Sequence, residues 1–176
     1  TPYDAKGLLT TALRGDDPVV FLEPKVLYRS IKEPVPEESY EIPIGVAKIR
    51  RSGTDLTLVT YGGMVPVCER AAVAAADDGI SVEVIDLRTI FPWDTQTVIS
   101  SVEKTGRLLV VQEPQRSAGV GAEIAAHVAE MAGYSLEAPI KRLTGTDAPW
   151  PQFAIEDHAL IRDHHVIHAI RDVVAG

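Results

Sequence analysis

A single cysteine, Cys68, among 176 residues excludes an internal disulfide. Its place in an apolar helical pattern predicts a buried thiol in a reducing compartment, and no nearby base or positive field equips it as a nucleophile. Basic residues are also scarce: 17 Lys and Arg face 25 Asp and Glu, for a formal charge of -8. That balance argues against a nucleic-acid or anionic-membrane surface, since both need clustered cations to neutralise phosphates. No run approaches the roughly 18 apolar residues of a membrane-spanning helix, and the first residues lack the basic start and apolar stretch of a signal peptide. The expectation is a soluble protein of the cytoplasm, or of the mitochondrial matrix in a eukaryote. No internal repeat or low-complexity segment is visible.

What is present is a hydrophobic fraction of 45% with 24% charged residues, enough for a packed core. Thr1-Pro2-Tyr3-Asp4 reads as a helix start, with Thr1 as N-cap, Pro2 at the first helical position and Asp4 in the first turn. Leu8, Leu9, Ala12 and Leu13 continue that helix to Arg14-Gly15-Asp16, and Val19 to Leu22 reads as a short strand of a parallel sheet. One helix and one strand cannot build such a sheet. Residues 1–32 are therefore expected to be the remnant of an upstream α/β domain. The proline-rich, acidic stretch from Glu33 to Glu38 begins a linker, 33–43, and a second domain occupies 44–176.

In that second domain Gly45 to Ile49 and Leu56 to Tyr61 read as an antiparallel pair joined at Arg51-Ser52-Gly53-Thr54. The pattern then changes to strands alternating with helices. Helices are predicted over Val65 to Asp77, Thr95 to Lys104 and Val120 to Ala132, with a closing helix carried by Val166, Ile167, Ile170, Val173 and Val174. Strands are predicted at Ser81 to Asp86, Arg107 to Gln112 and Ile140 to Leu143. The fold class is α/β: a mostly parallel sheet with one antiparallel edge strand and helices on both faces.

Several local features invite chemistry. Gly62-Gly63 lies between a strand and a helix, where backbone N–H groups can cradle phosphate, but it lacks the G-x-G-x-x-G pattern and a Walker-type lysine. A tight turn is the expected role. Ser117 to Glu123 brings small residues into a helix start; Glu123 would repel an anion there, which favours close packing, with a subunit contact as its expected form. His158, His164, His165 and His168 cluster late, and His164 and His168 share a helical face. Without H-E-x-x-H or a third ligand they read as surface histidines rather than metal ligands. Glu23, Asp86, Asp94, Glu113 and Asp147 show no paired acid–base spacing, although Asp86 and Glu113 stand at strand ends, where open α/β sheets bind ligands. No catalytic triad can be read from residue order alone.

Three stretches are more specific. Phe21 to Arg29 (FLEPKVLYR), Val84 to Asp94 (VIDLRTIFPWD) and Gly119 to Ile124 (GVGAEI) together resemble the β subunit of thiamin-diphosphate-dependent 2-oxo acid dehydrogenases, in that order and across essentially the whole chain. The first two forms look more like the branched-chain enzymes than the pyruvate enzymes. Gln112-Glu113-Pro114 departs from the His that often precedes Glu-Ala-Pro in the branched-chain type.

The resemblance implies a C-terminal part, with a transketolase C-terminal-like domain, of the β subunit of an α2β2 decarboxylating component. Its partners would be the α subunit, a second β subunit and the dihydrolipoyl acyltransferase core. Thiamin diphosphate with Mg would bind the intact heterotetramer and not this piece. The family's cofactor-activating glutamate and active-site histidine have no counterparts here, so no catalytic, cofactor-binding or metal residue is assigned, and His127 and His158 are not promoted to such roles.

Two residues are expected to dock the core: Glu137, which precedes Ala138-Pro139, and Gly176, whose carboxylate serves if it is the native end. Other expectations kept open are a pyruvate dehydrogenase β subunit, a purely structural interaction module, and the corresponding domain of a transketolase or deoxyxylulose-phosphate synthase.

Overall fold

Successive side chains on a strand point to opposite faces, so a strand buried at every position must be covered on both sides. In the computed structural model, which describes all 176 residues, this holds for Leu56–Thr60 (β2) and Val82–Asp86 (β3). With Lys48–Arg51 (β1), Leu108–Gln115 (β4) and Lys141–Gly145 (β5) they form one five-stranded sheet in the order β1-β3-β2-β4-β5. The β3-β2, β2-β4 and β4-β5 pairs are parallel, and β1 is antiparallel to β3 at one edge.

The helices are Pro2–Arg14 (α1), Val65–Ala76 (α2), Thr95–Thr105 (α3), Val120–Ala132 (α4) and Asp163–Ala175 (α5). On one face Leu56, Leu58, Leu109 and Val111 pack with Cys68 and Ala72 of α2 and Val166 and Ile170 of α5. On the other, Val59, Ile85, Leu108 and Val110 meet Val98 and Val102 of α3 and Ile124 and Val128 of α4. Each fully buried aliphatic side chain contributes about 1.5–3 kcal/mol. The α3 face also holds a polar seam, in which the Thr57 hydroxyl bonds Ser101 (2.6 Å) and Thr105 (2.7 Å), and Ser101 donates to Glu83 (2.6 Å). Local signals set the helix ends. Asp94 accepts from the Thr97 N–H at 3.0 Å to cap α3, and Gly106 closes it in the left-handed conformation, φ 67°.

Two strand expectations are corrected. Val19 to Leu22 forms no strand; no neighbouring strand offers hydrogen-bonding partners there, and Val20 is 86% exposed. Gly45 to Ile49 does not make a hairpin with β2 either. The strand begins at Lys48 and pairs across β3, because both edges of β2 are already taken by β3 and β4. The turn reaches β3 through Gly53, where an added Cβ would lie 2.2 Å from the Val82 carbonyl carbon.

The 33–43 segment is an ordered strap that grips α1. Gly7 makes room for Ile42, the rings of Tyr3 and Tyr40 stack at 4.5 Å, and Thr11 donates to the Ile42 carbonyl at 2.8 Å. Lys6 donates to the carbonyls of Pro36, Glu37 and Glu38. Arg88, at positive φ after β3, fastens α1 to the sheet by an ion pair to Asp4 at 2.6 Å.

Candidate partner-docking surface

Glu137 sits in the connection between α4 and β5. Its N–H donates to the Gly106 carbonyl at 2.7 Å and its side chain lies across Gly106, where an added Cβ would be 2.8 Å from Glu137 Cγ. The carboxylate pairs with Arg107 at 2.9 Å while its side chain stays 63% exposed. It is thus held in place yet accessible. The following residues, Ala138 and Pro139, line an open cleft of about 210 Å³ with Lys141, Asp172, Val173 and Gly176. Tertiary folding therefore brings Gly176 to the residues that adjoin Glu137. Lys141 pairs with Asp172 at the rim and holds that carboxyl below the usual range, and His168 Nε2 lies 3.6 Å from Asp172. Arg107, Lys141 and Asp172 were not singled out from sequence; their roles depend on long-range pairs that no local spacing announces.

The other candidates resolve into structure. At the C-terminal ends of β2 and β4, the crevice where an open sheet places a ligand, the chain's own residues 24–26 approach: an added Cβ would lie 3.5 Å from Pro24 at Gly62 and 3.2 Å from Val26 at Gly63. The Glu113 carboxylate stands 3.9 Å from that second position. A carboxylate beside the turn disfavours an anionic phosphate at this point. Gly119 and Gly121 pack against the chain's own Gln112, which accepts from the Gly121 N–H at 2.7 Å and donates to the Gln115 carbonyl at 2.8 Å. That is tight packing of the small residues, made here against their own strand.

The rings of His164 and His165 lie 3.9 Å apart, and His165 Nδ1 accepts from the Arg162 N–H at 3.0 Å to cap α5. Burial, then the neighbouring His164 and Arg162, lower its pKa. His127 packs edge-on against Trp93, and His158 is exposed. Among the carboxylates, Asp94 caps α3 and also accepts from the Ala47 N–H at 2.9 Å. Asp147 accepts from the N–H and hydroxyl of Ser117, both at 2.8 Å, which lowers its pKa. Glu23 accepts from the Tyr28 hydroxyl at 2.6 Å. Asp86 is 6% exposed, and burial pushes its pKa up. Cys68 is fully buried, and that burial pushes its thiol up to about 12, which makes it inert.

A larger cleft, about 440 Å³, opens at the C-terminal ends of β4 and β5. Glu113 lines it together with Pro114, Ala148, Trp150, Pro151 and Ala159. Sequence position singled out Glu113, but not Trp150, which a loop brings back from beyond β5. Beside it, burial and then the charge of Glu113 raise the pKa of Tyr61.

Comparison with known proteins adds to this geometry. The family described as transketolase, C-terminal domain, matches residues 45–166. The chain is 56% identical over 150 residues to the pyruvate dehydrogenase E1 component subunit beta of Staphylococcus epidermidis, covering 85% of this chain and 46% of the relative. It is 49% identical over 174 residues to the protein of the same name from Bacillus subtilis, covering 99% and 54%. The chain thus spans about half the length of these curated relatives. Among solved structures, a split gene transketolase, described as an inactive beta4 tetramer, superposes with a TM-score of 0.67 at 22% identity, over 77% of this chain and 44% of the other. That likeness concerns the fold. No helix is long and apolar enough to cross a membrane.

Proposed function

The chain belongs to the family of transketolase C-terminal domains, and on that premise we propose that it is the C-terminal part of the β subunit of a 2-oxo acid dehydrogenase E1 component. The names of its relatives favour the pyruvate type over the branched-chain type expected from the sequence motifs. In this reading residues 1–32 end an upstream domain, 33–43 strap it to the sheet, and 44–176 associate with the α subunit and a second β subunit. Thiamin diphosphate and magnesium would then be held in the heterotetramer by residues outside this chain, where the cofactor would supply the chemistry of 2-oxo acid decarboxylation. No step of that chemistry falls to the residues described above.

What this chain contributes is docking to the acyltransferase core. The observation that carries it is the placement of an exposed, positioned carboxylate, Glu137, next to a cleft shared by Pro139 and Gly176. A fixed carboxylate offers a directional charge-assisted bond to a basic partner and steers it by charge. Calorimetric titration of the core's small subunit-binding domain into this chain tests the reading. Glu137→Lys should weaken binding by about tenfold or more, with a steeper loss as salt rises in the parent than in the variant. Equal affinities would refute it. Reconstituted with the α subunit and a full-length β chain, the enzyme should turn over pyruvate ahead of branched-chain oxo acids.

A further inference from the structure

The cleft between the ends of β4 and β5 combines three properties that the docking surface above does not explain. Its volume, about 440 Å³, falls in the range of roughly 300–1,000 Å³ that encloses a side chain or small ligand. Its walls are mostly apolar, and Trp150 is 47% exposed, with its indole N–H directed to Glu156 Oε1 at 3.4 Å. Its one acidic side chain, Glu113, forms no ion pair within the chain. Arg116, the nearest basic residue in sequence, and Arg142 are turned toward each other's backbone carbonyls at 3.3 Å. Glu156 is likewise without an ion-pair partner.

A carboxylate without a counter-ion beside an indole in an apolar-walled cleft is complementary to a cation with a flat face. A guanidinium stacks on the indole while bonding the carboxylate through its fork, whereas an ammonium is a compact and strongly hydrated point charge. From this geometry we infer that the cleft is the docking pocket for an arginine side chain of a partner protein. Trp150 supplies the stacking face, Glu113 the carboxylate, and Pro114, Ala148 and Pro151 an apolar wall that keeps water from an anchor residue. The inference stands independently of the Glu137 surface.

The test is a titration of the ¹⁵N-labelled 176-residue chain with N-acetyl-arginine amide, followed at the Trp150 indole N–H, with Trp93→Phe to assign that resonance. A saturable shift is expected, with the Glu113→Gln variant binding roughly fivefold more weakly, as befits a partly exposed ion pair. Glu113 is exposed, so the variant should keep its remaining amide resonances in place. Three results would each overturn the inference: an equal shift with the neutral citrulline analogue, no weakening in Glu113→Gln, or tighter binding of free arginine than of the capped form, which would mark a small-molecule site.

Discussion

Residues 44–176 and residues 1–43 are held by different physics. The sheet domain encloses two apolar layers, one on each face, in which Leu56, Leu58, Ile85 and Ile170 are fully buried. Of the first 43 residues only Asp4, Gly7 and Ile42 are buried, and polar stitches do the fastening: Asp4 to Arg88, Lys6 to three carbonyls, Thr11 to Ile42. The difference is one of cooperativity. A core resists as a unit, while a segment held by a few polar contacts opens locally at a smaller free energy.

The largest effect is expected from emptying the core. Leu58→Ala should cost about 2–5 kcal/mol and lower the global unfolding midpoint, with every probe in the sheet moving together. If the sheet kept its midpoint in that variant, or its probes moved separately, the division drawn above would be wrong.

Arg88→Ala comes next. It removes the ion pair from the Asp4 carboxylate, whose side chain is 5% exposed and keeps only the Thr1 hydroxyl at 3.0 Å and the Thr1 ammonium, at a cost of about 1–3 kcal/mol. The loss should appear as faster amide exchange in α1 with little change in the sheet, because the segment can lift off rather than drag the core with it. Hydrogen exchange read residue by residue checks this, and uniform acceleration across β2 and β3 would break the comparison.

The smallest effect concerns the polar seam under α3. Burial acts to raise the Glu83 pKa, but Lys104, Ser101 and the Gly53 N–H donate to it and the net result is a lowered value. A carboxyl depressed in the folded state stabilises fully above its unfolded pKa, about 4.3, and loses that stabilisation as pH falls through the folded value. Glu83→Gln should therefore differ from the parent most near neutrality, and the two denaturation curves should converge only once pH has fallen through the depressed folded value. A gap that stays constant with pH would count against the role given to Glu83.

The legibility of the chain follows the range of the forces involved. Hydrophobic period and caps are local, so α2 to α5, β2 to β5 and the helix start at Thr1 could be read within a residue or a few. The apparent strand at Val19 to Leu22 shows the limit: a strand needs a neighbour, and apolar residues alone do not supply one. The partnering of β1 was misplaced for the same reason, since the competition for the edges of β2 is settled only when the sheet forms. For the candidate site, Glu137 and Gly176 were named from a family motif. Neither Arg107 beneath the carboxylate nor the Lys141–Asp172 pair at the cleft was legible.

By itself, then, the sequence determined an acidic α/β chain with one inert cysteine, its helices, its parallel strands and the family motifs, because these depend on composition and near-neighbour periodicity. Only the tertiary structure decided that β1 crosses to β3, that residues 24–26 approach the crevice at the strand ends, and that Glu113 and Trp150 face one cleft. Each of these is an agreement between segments far apart in the chain, fixed by which edges and surfaces remain free once the sheet has closed.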